Sequence, residues 1–296
     1  MPRFRSCVAA LSSTAILAVL ALPARAQQPF RLEFFVKGAL TPAGALTTYD
    51  SSYDPHPGYE IPGSYARQTL NIDPLSGWGV RAGVTAHFGT TLGLRISVGW
   101  NETPMGGNNP DFQLYYKYTA WLPPMTNPTY GARLTTVEWP ATSGRLRRTT
   151  ASLEMNFRIP LSPLWTLNLS AGPLLSFFNG EVGPLGYEEM VYERYGAQIF
   201  RYYFVRLRLP PLTAFGFDGE AEVAFRIDRH VSLILGAAVR SGTYAATPEI
   251  ASCLDYHTLQ EAPAEVMTRL KALIIPASLT LTPSPFLFSL GFAVGF

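Results

Sequence analysis

The 296-residue chain is poor in cysteine, in charge and in long apolar runs: it has two cysteines, 15% charged residues, and 23 Lys and Arg against 21 Asp and Glu. Each scarcity excludes a class of protein. Cys7 and Cys253 are too few for a disulfide framework or a cysteine-rich metal site. A near-neutral balance leaves no electrostatic footprint for nucleic acid, so nucleic acid is not an expected partner. Beyond Val8 to Leu22 no segment approaches the roughly 20 apolar residues that a membrane helix requires.

What is present begins at the amino terminus. Arg3 and Arg5 precede the apolar run, and Ala24-Arg25-Ala26 stands immediately before Gln27. Positive, then apolar, then small-x-small is the order of a secretory signal peptide. The expected organisation is a cleaved signal over residues 1–26 and one domain over residues 27–296. Cleavage removes Arg3, Arg5 and Arg25 from the 23 basic residues, leaving 20 against 21 acidic, and removes Cys7, leaving Cys253 alone. Cys7 precedes the apolar core instead of following it, which does not suit a lipoprotein.

The last twelve residues carry the strongest pattern. Phe286, Phe288, Leu290, Phe292, Val294 and Phe296 alternate with Leu287, Ser289, Gly291, Ala293 and Gly295. Period two is a strand signal, because successive side chains leave a pleated backbone in opposite directions. One face is large and apolar while the other is mostly small, as in a wall with lipid on one side and a crowded interior on the other. The same alternation covers Phe30 to Leu40, where charges fall on one face only. It recurs from Trp78 to Phe88 and Leu92 to Trp100 around Gly89-Thr90-Thr91. It recurs again from Ala151 to Ile159 and Trp165 to Ala171 around Pro160 to Pro163, and from Glu220 to Ile227 and Val231 to Val239 around Asp228-Arg229-His230. Trp78 and Trp100 stand at matching ends of one hairpin, as in an interfacial aromatic girdle.

Between the hairpins lie Thr41 to Pro74, Asn101 to Gly144, Asn179 to Pro211 and a segment from Ser241. They read as long loops, with Phe200 to Leu209 able to continue a strand above the membrane and Ala264 to Leu273 patterned as a short helix.

A terminal Phe after alternating apolar residues resembles the C-terminal strand of bacterial outer-membrane barrels, in which Phe292, Val294 and Phe296 would form the assembly signal. The segment Leu167 to Leu175 is similar to a strand of the small OmpW/OmpA-like class. The resemblance implies an all-β fold, a closed antiparallel up-and-down transmembrane β-barrel with long extracellular loops and short periplasmic turns, in the bacterial outer membrane. Its implied partners are outer-membrane lipid and lipopolysaccharide, the barrel-assembly machinery and a small solute. Counting Ile274 to Leu281 separately gives nine strands, and bacterial single-chain barrels have even numbers. The expected count is eight, with residues 274–296 as one strand bent at Pro283 and Pro285. Ten is the alternative, using Phe112 to Trp121 or Phe200 to Leu209.

On that reading Arg31, Glu33, Lys37, Arg81, His87, Arg95, Glu154, Arg158, Asp218, Glu220, Glu222, Arg226 and Arg240 line the lumen. Mixed charges in so narrow an interior make either an ion-paired plug or a narrow polar path. His87 near Glu154 and Arg158 is the one interior histidine, and a buried acid-histidine pair can transfer protons. His230 and Ser232 carry a weaker suggestion of a lipid A hydrolase, but they follow a tight turn as an ordinary strand start would. His56 with Asp54 and His257 with Asp255 lack metal-site spacing, and no motif calls for a cofactor. The loop tyrosines, Tyr49, Tyr53, Tyr59 and Tyr65, then Tyr115, Tyr116, Tyr118 and Trp121, then Tyr187, Tyr192, Tyr195, Tyr202 and Tyr203, suit packing, headgroup anchoring or recognition. The function expected first is a structural or narrow-pore protein passing small solutes. The alternatives are an envelope interaction protein acting through its loops and a lipid A-modifying enzyme.

Overall fold

The computed structural model describes residues 30–53, 65–107, 111–120, 129–136, 141–192, 198–273 and 278–296. The expected signal segment lies outside them. In chain order the elements are β1 (Phe30–Thr41), β2 (Thr47–Tyr53), β3 (Tyr65–Pro74), β4 (Gly77–Phe88), β5 (Leu92–Gly107), β6 (Asp111–Ala120), β7 (Thr129–Thr136) and β8 (Thr142–Pro160). There follow β9 (Trp165–Tyr192), β10 (Gln198–Arg226), β11 (Val231–Arg240), β12 (Tyr244–Ala246), β13 (Glu249–Asp255), α1 (Ala264–Leu273), β14 (Leu279–Leu281) and β15 (Phe286–Gly295).

Eight of these strands close a ring. The neighbour order is β4, β1, β15, β11, β10, β9, β8, β5, and β5 pairs back onto β4. Every pairing is antiparallel. The first and last strands seal the seam, with Phe34 opposite Val294 and Lys37 opposite Gly291.

Burial alternates residue by residue along the wall. On β1, Glu33, Phe35, Lys37 and Ala39 are buried while Phe34, Val36 and Leu40 are exposed. Val80, Val98, Leu153, Met155, Phe157, Leu235, Val239, Phe288 and Leu290 continue the exposed set around the ring. A closed sheet leaves no unpaired edge, and only such a sheet or a helix can satisfy its backbone in hydrocarbon. An apolar outer belt around a polar interior on an even-stranded antiparallel ring is the bacterial outer-membrane arrangement, and the protein is a barrel of that membrane. Trp78 and Trp100 meet edge to face at 5.0 Å on the belt's rim. Among the described residues no helix is long and apolar enough to cross a membrane.

The turns at residues 89–91, 161–164 and 227–230 close one end and everything long projects from the other, so the long side is extracellular. Among the described residues, the first two segments read as loops are in fact largely strand, and in the third Phe200 to Leu209 continues a strand above the membrane as expected. β2 pairs with β3, and β3 with β6 and the end of β5, while β6 pairs with β7. β9 and β10 run for 28 and 29 residues, far beyond the 9 to 11 that cross a bilayer. The ring count is eight, and neither proposed extra strand enters it. Residues 112–120 belong to β6, off the ring, and Phe200 to Leu209 is the upper part of β10. Residues 274–277 lie outside the described residues, and the rest of that expected bent strand is not one element. Leu279–Leu281 pairs with β12 in a separate sheet, and Pro283 and Pro285, lacking N–H groups, separate it from β15.

Above the membrane the polarity reverses. Tyr49, Leu70, Ile72, Met105, Leu146, Phe178, Leu185, Tyr187, Tyr203, Val205, Leu207, Tyr244, Cys253, Val266, Leu270 and Leu281 share one apolar core. It draws on the upper strands, the β12–β14 sheet and α1. On β10 the reversal has a local cause. Leu212 pairs with Phe178 but Leu209 with Gly180, so one extra residue sits at Pro210-Pro211. A one-residue bulge swaps the faces of a strand. Below it Asp218, Glu220 and Glu222 point inward, whereas above it Val205, Leu207 and Leu209 do.

Candidate functional site in the barrel interior

Strand alternation sends Lys37, Arg81, Arg95, Glu154, Asp218, Glu220, Glu222 and Arg240 into the lumen, all buried. They come from β1, β4, β5, β8, β10 and β11, and they meet across it. Lys37 Nζ lies 2.7 Å from Glu220 and also contacts Glu222. Arg81 touches Glu154 and lies 2.7 Å from Glu220 and 3.1 Å from Asp218. Arg95 is 2.5 Å from Glu222 and 3.3 Å from Glu220, and Arg240 is 3.2 Å from Asp218. Four cations thus face four carboxylates. Buried ions lose several kcal/mol of hydration each, and the mutual attraction offsets this only with good geometry and further hydrogen bonds. Those bonds are present: Arg81 donates to Ser97 at 2.8 Å and Arg95 to Thr85 at 3.1 Å. The Phe35 ring lies 4.8 Å from both Lys37 Nζ and the Arg95 guanidinium.

The periplasmic end holds the remaining charges. Glu33 and His87 are buried, Arg31 and Arg158 are half-buried, and Arg226, the last residue of β10, is exposed. The acid nearest His87 is Glu33, at 3.9 Å, and neither ring nitrogen makes a hydrogen bond. Glu154 is engaged with Arg81 instead. The acid-histidine relay that the sequence allows is therefore not assembled in this geometry.

His230 Nδ1 donates to the Gly295 carbonyl at 2.9 Å, tying the last turn to the last strand. Ser232 pairs in register with Arg226 and Ala293. Outside the membrane, Asp255 accepts from the Thr258 amide at 2.9 Å, the Thr258 hydroxyl at 3.1 Å and the His257 amide at 2.9 Å. Those bonds hold its carboxyl below the usual carboxylate range, which makes it a turn-former. His56 and Asp54 lie outside the described residues, and among the described residues no cluster of three His, Cys, Asp or Glu could hold a metal. Of the loop tyrosines, Tyr49, Tyr187 and Tyr203 are buried in the cap core and Tyr202 packs against it. The side chains of Tyr53, Tyr65, Tyr115, Tyr116, Tyr118 and Tyr192, and all of Tyr59, Trp121 and Tyr195, lie outside the described set. Phe292 on β15 and Phe296 just beyond it are exposed on the outer face with Val294 half-buried between them, and Phe296 meets Phe34 edge to face at 6.0 Å.

Sequence reasoning missed Arg148. It is buried at the extracellular mouth, donating to Ser176 at 2.9 Å and to the Ser241 carbonyl at 2.6 Å. The signal was available, because the inward alternation of Glu154 and Ser152 extends back through Thr150 to Arg148.

No protein-family model matches the chain, and no curated protein matches it in sequence. Solved structures do match in shape. The outer membrane protein OprG from Pseudomonas aeruginosa is 10% identical, with 91% of this chain and 97% of that one covered and a TM-score of 0.44. A major outer membrane protein from Thermus thermophilus is 13% identical, covering 90% and 99%, at 0.37. The outer membrane protease OmpT from Escherichia coli is 8% identical, covering 91% and 99%, at 0.38.

Proposed function

We propose that the protein is a non-enzymatic structural barrel whose lumen is shut, holding a folded cap at the cell surface. The observation that carries this reading is the transverse bracing: β1, β4 and β5 each send a cation to carboxylates on β10, on the far side of the ring. A path for solute would have to part these pairs and then pass the apolar core above them. The outer belt would rest in outer-membrane lipid and meet lipopolysaccharide at its rim, with Phe292, Val294 and Phe296 read by the assembly machinery. Planar-bilayer recording tests the shut lumen. Purified wild-type protein is expected to give no discrete conductance steps, and steady steps would restore the narrow-pore alternative.

The second reading, interaction through the cap, is favoured by one observation. Arg206 and Arg208 are exposed on the outer face of β10, above the belt, while their neighbours Val205 and Leu207 are buried. Binding to lipopolysaccharide micelles that is unchanged in an Arg206→Ser, Arg208→Ser double variant would remove that support.

A further inference from the structure

The ion pairs of the lumen balance, but the charge at its extracellular mouth does not. Lys37, Arg81, Arg95 and Arg240 are matched by Glu154, Asp218, Glu220 and Glu222. Arg148 is a further buried guanidinium, and no carboxylate among the described residues lies within ion-pair distance of it. Its partners, Ser176 and the Ser241 carbonyl, are neutral. Truly uncompensated burial of a cation is costly, so a counter-charge is missing from this end of the barrel.

The same place has an unused donor and room. Arg240 is 4% exposed, yet its Nη2 has no hydrogen-bond partner, while Nε engages Asp218 and Nη1 reaches Asn101 at 3.4 Å. Arg148 and Arg240 line one cavity with Thr41, Asn101, Thr103 and Ser284, about 20 Å³ and partly open to solvent, room for one small ion. Arg148 is held there by construction. Gly242 lies against the guanidinium, where a Cβ would stand 2.8 Å from Arg148 Nη2, and its φ of +134° favours glycine.

We propose that this cavity binds a small monovalent anion, of halide or carboxylate size, between Arg148 and Arg240. One excess positive charge calls for one negative charge, and a divalent oxyanion would overcompensate it. The surrounding hydroxyls can donate to either kind of anion. The anion would enter from the extracellular side and serve as the counter-ion that completes the mouth.

Chloride NMR linewidths on the folded protein in detergent micelles, at constant ionic strength, test this directly. Wild type is expected to show saturable excess broadening that formate reverses. Arg148→Gln should lose it, while Arg229→Gln, at an exposed turn of the opposite end, should keep it. Thr103→Leu fills the cavity from another strand and leaves both guanidinium groups in place, so it should lose the broadening too, even if Arg148→Gln does not fold. Absence of saturable broadening in wild type, or its persistence in either folded cavity variant, overturns the proposal.

Discussion

Lys37 on β1 and Glu220 on β10 meet at 2.7 Å with neither side chain exposed, although two strands, β15 and β11, separate them around the ring. The contact therefore crosses the lumen. Glu220 also receives Arg81 and Arg95. Glu220→Gln leaves four cations facing three carboxylates and is expected to cost about 3–5 kcal/mol, the usual penalty for stranding a buried charge. Lys37→Met combined with Glu220→Gln restores the balance and should recover part of that loss. Urea unfolding followed by tryptophan fluorescence measures both, and simple additivity would show that the two groups are not coupled.

The belt makes a separate prediction. Val36 is 63% exposed at the middle of β1. Val36→Arg places a cation in hydrocarbon near mid-depth and should cost about 2–4 kcal/mol. Its neighbour across the seam, Phe292, faces the same way. A heat-modifiability gel and urea titration that leave Val36→Arg equal to wild type would mean that this face does not meet lipid.

The cap should yield independently of the wall. Leu270 on α1 is fully buried in the extracellular core with Val266 and Cys253. Leu270→Ala leaves a cavity worth about 2–5 kcal/mol, charged to the cap alone. Limited proteolysis is expected to cut between Ser241 and Pro285 while the barrel keeps its unboiled mobility; loss of both together would show one cooperative unit.

Alkaline pH offers a fourth check. Burial, helped by the nearby Glu249 charge, pushes the Tyr244 phenol up to about 12, and its hydroxyl donates to the Pro210 carbonyl at 3.1 Å. The folded value lies above the ordinary 10, so the contribution is complete below about 10 and is lost as pH rises through the folded value. Protease resistance of the cap should fall over that window in wild type. Tyr244→Phe should show a smaller fall there, and an identical profile would separate Tyr244 from the effect.

The wall was legible because its two faces meet different media. Lys37, Arg81 and Glu220 could only point away from Val36, Val80 and Ala221, so faces and turns could be placed from alternation alone. The cap was not legible for the opposite reason. Val205 and Leu207 alternate with Arg206 and Arg208 as in any half-buried strand, but Pro210-Pro211 interrupts the period and looks like a loop signal. The short pieces Tyr244–Ala246 and Leu279–Leu281 are each three residues, too brief for any period to show. Ala264 to Leu273 was long enough, and there the helix pattern and the observed α1 coincide. The interior charges could be assigned a face, but their partners depend on which strands oppose each other across the ring, which no local pattern encodes.

The doubled proline on β10 sets a rule for how this ribbon can change in length. With one surplus residue at that step, everything above it is turned half a pleat from everything below. Deleting a single residue there would remove the surplus and leave one residue between Leu209 and Leu212, as there is between Gly180 and Phe178, so the upper half would keep its facing; deleting two would aim Arg206 and Arg208 into the oily centre of the cap and turn Val205 and Leu207 out to water. The one surplus residue can therefore be lost without turning the arm over, and any further shortening should come in even steps, unless its partner strand shifts with it.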